Sequence, residues 1–584
     1  MDAKISKAFN AHPQPTAGSG HDMKNGPEQS DWFSYVDEPL VVPDPDAVSW
    51  AEQADVVVVG FGAAGASAAL QACEDGADVL IVERFNGGGA TATSGGVVYA
   101  GGGTKYQQEA GYEDTVDDMY NYLKAEAQGV VKDSTLRKFC DESINNLQWL
   151  ESYGVQFSGS LFKEKTVYPP DGYFLYYAGN EKLPVFEKIA KPAPRGHRTV
   201  GKGVFCGSYL FAALRAAVAA KGIRVMTHAP VGRLVVSQTG AVVGVEVWRL
   251  KPGSAALFKH KQAANWLDKF LKFMPPIVKS LNKSMAGLEK RSGEAVLIRA
   301  RGGVILSAGG FAFNTAMVAQ YAPAYEHAMP LGNAGCDGGG IRLGQSVGGA
   351  LRQMHSVSAT RPISPPVNWV QGIIVDEQAR RFVEEDAYAG SLGRRIAEHE
   401  GQKKWLLIDA DMQQALVKQA LNFGPSWMPL GVQALQTWLF NCKGGTEARA
   451  LASKLGIDAA MLEQTIRIYN EGVAKGEDEF GKNPHNLKKI EGKIWAVDVS
   501  TGNRVTTTML LTMGGLDVDE ETGHVLRSDS QPIKGLYAAG RTAVGIPSNF
   551  YVSGTSIGDC VFSGRRAGAH AAHTVHGSVG NGLG

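Results

Sequence analysis

Three stretches of this chain carry residue types at spacings that can do chemistry. The first is Asn549-Phe-Tyr551-Val-Ser553-Gly554-Thr555-Ser556, a phenol two residues ahead of a hydroxyl and just before a glycine turn. A phenol of pKa about 10 is a poor base at neutral pH unless its phenolate is stabilised. A neighbouring hydroxyl, backbone N–H groups or a helix N-terminus can supply that stabilisation. The second stretch, Arg381-Phe-Val-Glu-Glu-Asp-Ala-Tyr388-Ala-Gly390, offers another phenol. The third is Gly60-Phe-Gly62-Ala63-Ala64-Gly65, with glycines at the spacing of a phosphate cradle.

That cradle needs a strand before it and a helix after it. Residues 55–59 read Asp-Val-Val-Val-Val, a β-branched run suited to a buried parallel strand, and Ala66 to Cys73 reads as a helix. Val79–Val82 is a second strand ending on Glu83, 23 positions after Gly60. In this βαβ unit Gly60 permits the tight turn, Gly62 lets backbone N–H groups approach a pyrophosphate, and Gly65 lets helix and strand pack closely. The helix N-terminus stabilises phosphate charge, and Glu83 is placed for ribose hydroxyls. The motif alone does not separate FAD from NAD. The glycine- and hydroxyl-rich loop of residues 87–96 does favour a flavin, with Gly89, Ala90, Thr91, Ser94, Gly95 and Gly96 as its expected contacts. Far downstream, Gly540-Arg541 ends a short strand. Gly554, Thr555, Ser556 and Ile557 then open an Ala/Gly-rich helix running to about Ala572. Its N-terminus is suited to the negative charge of a reduced flavin's pyrimidine end. A further strand from Val304 ends on Ala308-Gly309-Gly310; Arg84, Val231 and Asp337 complete the expected cofactor set.

A chain of 584 residues, 44% apolar and 20% charged, is expected to be globular and to hold more than one domain. Zero net charge gives no electrostatic case for nucleic acid. The six cysteines are dispersed, which excludes CxxC metal or redox motifs and CxxCH haem attachment and fits a reducing cytoplasm. Electrons would therefore leave to an external acceptor. Residues 1–50 read as a flexible polar arm without an apolar signal core, and no apolar run reaches 18 residues. Residues 112–154 read as helices, with Asp133-Ser134 as a cap, Leu136, Phe139, Leu147 and Leu150 facing inward and Gly154 beyond the end. Strands are expected at 223–227, 241–248 and 295–306. Between them, residues 251–292 carry nine Lys/Arg and two acids. Trp266, Leu267, Phe270, Leu271, Met274, Ile277, Val278 and Leu281 fall on one helical face, allowing for a break at Pro275-Pro276. Such a segment suits a membrane interface, on the inner face of the membrane, or a hairpin packed on its own domain or on a second subunit.

Taken together, these motifs resemble the flavoprotein family of fumarate reductases and 3-ketosteroid dehydrogenases, from about Asp55 to Ala572. The resemblance implies an α/β fold: a Rossmann-like FAD-binding domain interrupted by an α+β capping, catalytic domain. The expected division is an arm over 1–50, FAD-binding domain over 51–346 with the 251–292 insertion inside it, cap over 347–502 and FAD-binding domain again over 503–584. The FAD is expected to be non-covalent. Fumarate reductases place an arginine acid in the 381–390 region, a histidine before Thr-Met-Gly-Gly, and an arginine after the Asn of the last motif. Here the corresponding positions offer Tyr388, Leu510-Leu511 before Thr512, and Phe550 after Asn549. A desolvated dicarboxylate needs cations, so these departures point to an apolar carbonyl substrate. The resemblance also offers His355 as the counterpart of another family histidine, though a structural role is the simpler reading. Ketosteroid Δ1-dehydrogenases typically show Tyr-Pro-Gly-Pro-Gly where this chain shows Tyr551-Val-Ser553-Gly-Thr555. It is more similar to the Δ4-(5α) members, whose Tyr-x-Ser pair and cap tyrosine line the site, and this similarity carries catalytic roles onto Tyr551, Ser553 and Tyr388. The implied activity is ring desaturation beside a 3-ketone, with Δ1 chemistry or reduction of another enone or unsaturated acid as rivals.

Overall fold

The computed structural model describes residues 34–268, 275–361, 363, 367–421, 428–503 and 508–580. Its centre is a nine-stranded sheet. In chain order the strands are β1 (Leu40–Val42), β2 (Glu52–Val59), β3 (Val79–Glu83), β4 (Arg224–Thr227), β5 (Val231–Ser237), β6 (Val242–Leu250), β7 (Gly293–Leu306), β8 (His524–Leu526) and β9 (Pro532–Ala538). Their spatial order is β1-β5-β6-β7-β2-β3-β4, with β9 on β7 and β8 on β9. The three expected strands are β4, β6 and β7.

The β-branched run makes β2 the central parallel strand. Val56–Val59 lie opposite Val79–Val82 of β3, and Val57–Val59 lie opposite Val304–Leu306 of β7. Strand β7 has three partners: β6 antiparallel over its first half, β9 parallel over Val304–Leu306, and β2 parallel from Ile298 to Leu306. The register shifts between Ala300 and Gly303, and Gly303 has a φ of +149°. A Cβ there would meet the Tyr537 ring at 2.7 Å, so glycine is required where the strand changes partners.

The helices that matter for the site are α1 (Ala63–Glu74), α2 (Ala255–Trp266), α3 (Pro275–Ser292), α4 (Ala389–Glu398), α5 (Met428–Asn441) and α6 (Thr555–Gly580). Helix α6 packs along α1 on one face of the sheet, where Val56, Val58, Leu70, Val561 and Ala571 share a core. The opposite face is filled by Val57, Val59, Leu234, Val245, Leu306 and Leu536. A separate antiparallel sheet of Ile373–Val375, Trp405–Asp409, Ile494–Asp498 and Cys442–Thr446 forms the centre of the cap. Its apolar residues share one continuous core with Val97, Tyr122, Leu136, Tyr176 and Phe186, so the first part of the flavin-domain sequence also braces the cap.

Several local expectations differ from the structure. From Ser34 the arm is part of the fold: β1 pairs parallel with β5, and Asp37 N–H donates to the Gly232 carbonyl at 2.8 Å. Residues 1–33 lie outside the described residues. Asp133 is the first helical residue, not the cap, and the helix is interrupted at Glu142, giving Asp133–Asp141 and Ser143–Ser152. The expected inner residues Leu136, Phe139, Leu147 and Leu150 are buried. The 251–292 segment is two helices, not one continuous face. Leu267 and Val278 are buried, whereas Trp266 and Ile277 are 59% and 41% exposed. Helix α3 covers Pro275–Ser292 among the described residues. Phe270, Leu271 and Met274 lie outside the described residues. Among the described residues no helix is long and apolar enough to cross a membrane.

Candidate active site

A cavity of about 1100 Å³ runs from the β2–α1 turn to the interface between sheet and cap. At the β2–α1 end, Gly60 holds φ +102° with the Ser307 carbonyl 2.8 Å from where a Cβ would stand. Gly65 is tighter, since a Cβ would lie 2.0 Å from the Gly60 carbonyl oxygen. No side chain caps α1 beyond the Thr91 hydroxyl, which accepts from Ala63 N–H at 3.0 Å. The helix terminus therefore opens onto the cavity as an anion site. Glu83 ends β3 with both carboxylate oxygens engaged, accepting from Phe61 N–H at 2.7 Å and from Phe85 N–H at 2.8 Å. Burial raises its pKa against those two bonds.

Arg541 follows the Gly540 turn after β9. It lines the cavity; its Nη2 lies 3.4 Å from Cys336 Sγ, and its buried Nη1 has no hydrogen-bond partner among the described residues. An unpaired buried guanidinium nitrogen beside a glycine cradle fits an anionic, hydrogen-bond-accepting cofactor. Arg84 is tied instead to Glu289 at 2.9 Å and Asp337 at 2.8 Å, which pins α3 to the nucleotide end. Gly60, Gly62, Ala63, Ala64, Glu83, Arg84, Gly89, Ala90, Thr91, Ser94, Gly95, Val231, Ala308, Gly309, Asp337, Arg541, Gly554, Ser556 and Ile557 line the cavity. Gly65, Gly96, Gly310, Gly540 and Thr555 do not, and stand one layer behind it. Gly96 abuts the Cys206–Gly207 backbone, Gly310 the Thr512 hydroxyl and Gly540 the Ala64 side chain. Thr555 donates to the Val552 carbonyl at 2.6 Å.

The other end of the cavity is walled by Tyr168, Ser358, Thr360, Tyr388, Leu510, Leu511, Tyr551 and Ser553. Tyr551 and Ser553 sit just ahead of α6, and Tyr388 is the N-cap residue of α4. The Tyr388 and Tyr551 rings are 6.2 Å apart, and both side chains interact with the Ser553 hydroxyl. Burial pushes both phenols up. For Tyr551 the neighbouring Tyr168 adds to the rise, while the Gly554 N–H, Arg541 and Ser553 oppose it. Sequence reasoning missed Tyr176, fully buried, whose hydroxyl lies 3.2 Å from Ser553 Oγ. Phe550 and His355 are not on the cavity wall; the Phe550 ring lies against the Arg394 guanidinium, 5.7 Å from its centre. Arg381 is likewise absent from that wall, held by Glu385 at 2.7 Å and by Asp478.

Asn180 was also missed. Its Oδ1 accepts from Tyr388 N–H at 2.6 Å, and its Nδ2 donates to Ser391 Oγ at 3.2 Å and to Glu126 Oε1 at 2.9 Å. Tyr122 donates to the same Glu126 oxygen at 2.7 Å. Helix α4 has no side-chain cap of its own, so Asn180 supplies one from another part of the chain and seats Tyr388. Asn180→Ala is expected to lower kcat about tenfold by misplacing Tyr388. In a Tyr388→Phe background the same change is expected to add little, a non-additivity read from a double-mutant cycle in kcat.

The chain matches the FAD binding domain family over residues 55–557 and belongs to it. The 3-oxo-5-alpha-steroid 4-dehydrogenase of Comamonas testosteroni is 38% identical, over 89% of this chain and 98% of that protein. The crystal structure of 3-ketosteroid-delta4-(5alpha)-dehydrogenase from Rhodococcus jostii RHA1, in complex with 4-androstene-3,17-dione, is 30% identical with a TM-score of 0.76, covering 92% of this chain and all of that one. The 3-ketosteroid delta1-dehydrogenase of Sterolibacterium denitrificans shares the fold, with a TM-score of 0.62 at 20% identity over 90% of this chain and 100% of that one. The cofactor is FAD, and the chain is an oxidoreductase.

Proposed function

We propose that this chain is an FAD-dependent 3-ketosteroid dehydrogenase of the Δ4-(5α) type, introducing a double bond beside the 3-ketone. The observation that carries the reading is the convergence of Tyr551, Ser553 and Tyr388 on the apolar end of the FAD cavity. Leu510 and Leu511 stand there, and the Arg541 guanidinium opposes the rise in the Tyr551 pKa. Bound FAD supplies the acceptor for the hydride that leaves the carbon β to the ketone. Tyr551, as a phenolate held by Ser553 and the Gly554 N–H, takes the proton from the α carbon and becomes the phenol. Tyr388 donates a hydrogen bond to the ketone oxygen, which makes the α proton more acidic, or relays protons. Of the cofactor set, Arg541, through its Nη1, and the open α1 terminus are assigned to the anionic parts of FAD.

The test is an anaerobic titration of the purified flavoprotein with a 5α-3-ketosteroid. The expected result is bleaching of the flavin band with release of the 4-ene-3-ketone. If bleaching requires a 4-ene-3-ketone and yields the 1,4-diene, the Δ1 assignment replaces this one. If neither steroid bleaches the flavin, the steroid reading falls. The proposal includes contact of the basic 251–292 insertion with a membrane surface, where so apolar a substrate concentrates.

A further inference from the structure

The mouth of the cavity lies between two helices that are far apart in sequence. Helix α3 contributes Val278, Lys279 and Asn282 to its wall, and α5 contributes Val432 and Gln436. Val432 is half-exposed, so the wall at that point is also the outer surface.

The outer face of α5 is anomalous for a helix meeting water. Val432, Leu435 and Leu439 follow one another at helical spacing on its outward stripe and are 50%, 40% and 63% exposed; Phe440 beside them is 71% exposed. Thr437 is turned inward and Trp438 half-buried. A water-facing helix shows the reverse arrangement, polar out and apolar in. Across the mouth, Trp266 and Ile277 end α2 and begin α3 and are likewise exposed.

Charge then selects among occupants. The two acids of the 251–292 segment are both used internally. Glu289 is buried between Arg84 and His260, and Asp268 accepts from Asn86 and Asn333. The exposed charges on the hairpin are therefore cationic, among them Lys259, Lys261, Lys279 and Lys283. Residues 412–446, which contain α5, hold Lys418 and Lys443 and no acid. Glu326 is the exposed acid on the cavity rim. Bulky apolar side chains among lysines are the composition of a surface that enters the headgroup region of an anionic bilayer.

The geometry points to a two-sided docking rim, in which α3 and α5 together seat the cavity mouth on an anionic phospholipid surface and the apolar substrate passes from bilayer to active site without crossing water. This rests on the proposed function only in taking the substrate to be apolar. What it adds is the partner of the rim and the part played by α5 of the cap, so that both regions enclosing the cavity meet the lipid.

The test uses the full-length flavoprotein and sedimentation with vesicles of phosphatidylcholine, with and without phosphatidylglycerol. The expected result is binding to the phosphatidylglycerol vesicles that weakens with salt. The pair Leu439→Asp and Phe440→Asp, and separately Trp266→Asp, should reduce that binding by about tenfold or more. None of these residues lines the cavity. Turnover of a steroid delivered in cyclodextrin should be unchanged in the variants, and turnover of vesicle-embedded steroid should fall with binding. Absence of vesicle binding, or binding that the variants leave intact, would overturn the rim. So would sedimentation equilibrium showing a dimer that the same substitutions split, since the occupant would then be a second copy of this chain. Vesicle binding by a protein that turns over no steroid in cyclodextrin would leave the rim standing and remove the steroid reading.

Discussion

Tyr551→Phe is expected to cost about 10²–10⁴-fold in kcat, the range spanned by positioned general bases. FAD content and the melting temperature should stay close to those of the parent. The hydroxyl lost is on the cavity wall and its removal leaves the ring in place. The pH dependence has a definite sign. The working form of the base is the phenolate, and burial raises the Tyr551 pKa above its ordinary value, with Tyr168 adding to the rise. The active fraction is therefore small at neutral pH and grows about tenfold for each unit of pH. In the parent enzyme kcat/KM should climb through pH 7 to 9 without levelling, and in Tyr551→Phe that slope should vanish. A plateau near neutrality would mean that the Gly554 N–H, Arg541 and the α6 terminus outweigh burial in the free enzyme. Unchanged turnover by a FAD-replete Tyr551→Phe variant would remove this tyrosine from the reaction.

The second large effect is expected at the cofactor end. Gly65→Ala puts a methyl group 2.0 Å from the Gly60 carbonyl oxygen and 2.8 Å from Ser307 Oγ. Neither neighbour can retreat freely. Gly60 is fixed at φ +102°, and Ser307 donates to the Val59 carbonyl at 3.0 Å and to the Gly60 carbonyl at 3.1 Å. Helix α1 must move off β2, taking with it the N–H groups that face the pyrophosphate. Overpacking of this kind costs about 1–3 kcal/mol, and the displaced helix end loses its fit to the phosphates. The variant should purify largely colourless, with FAD affinity reduced at least about a hundredfold, a change equivalent to about 2.7 kcal/mol. Gly502→Ala, where no atom of the described residues lies within 4 Å of the new methyl group, is the control and should retain its colour. Stoichiometric FAD in Gly65→Ala after gel filtration would show that α1 can shift without cost.

The nucleotide end was legible because its information is local. Strand, turn, helix and acid fall within 55–83, and a β-branched run beside three glycines has few other uses. The tyrosines were legible through a short spacing, Tyr551 to Ser553, and through resemblance. Tyr176 and Asn180 were not, because what gives each its place lies 377 and 208 residues away in the chain. Tyr176 stands in an aromatic run, Tyr-Phe-Leu-Tyr-Tyr, that reads as packing. The 251–292 periodicity was misread for a different reason. Even allowing for a break at Pro275-Pro276, Leu267 and Val278 are buried while Trp266 and Ile277 beside them are exposed, so residues of one wheel face point both inward and outward. Asp133 shows the smaller uncertainty of helix ends, displaced by one residue from cap to first turn.

Helix α6 lies against α1 so closely that glycine is needed at two successive turns. A Cβ on Gly564 would sit 2.5 Å from the Ala64 carbonyl, and one on Gly568 would sit 2.3 Å from that of Ala68. The first and last helices of the flavin fold are thus fitted to each other across nearly 500 residues of intervening chain. During synthesis the α6-facing side of α1 has no permanent cover until α6 has left the ribosome. Contacts of such long range form slowly and leave apolar surface open while they wait. Synthesis of α6, more than folding of any earlier segment, sets when this nascent chain can shield α1.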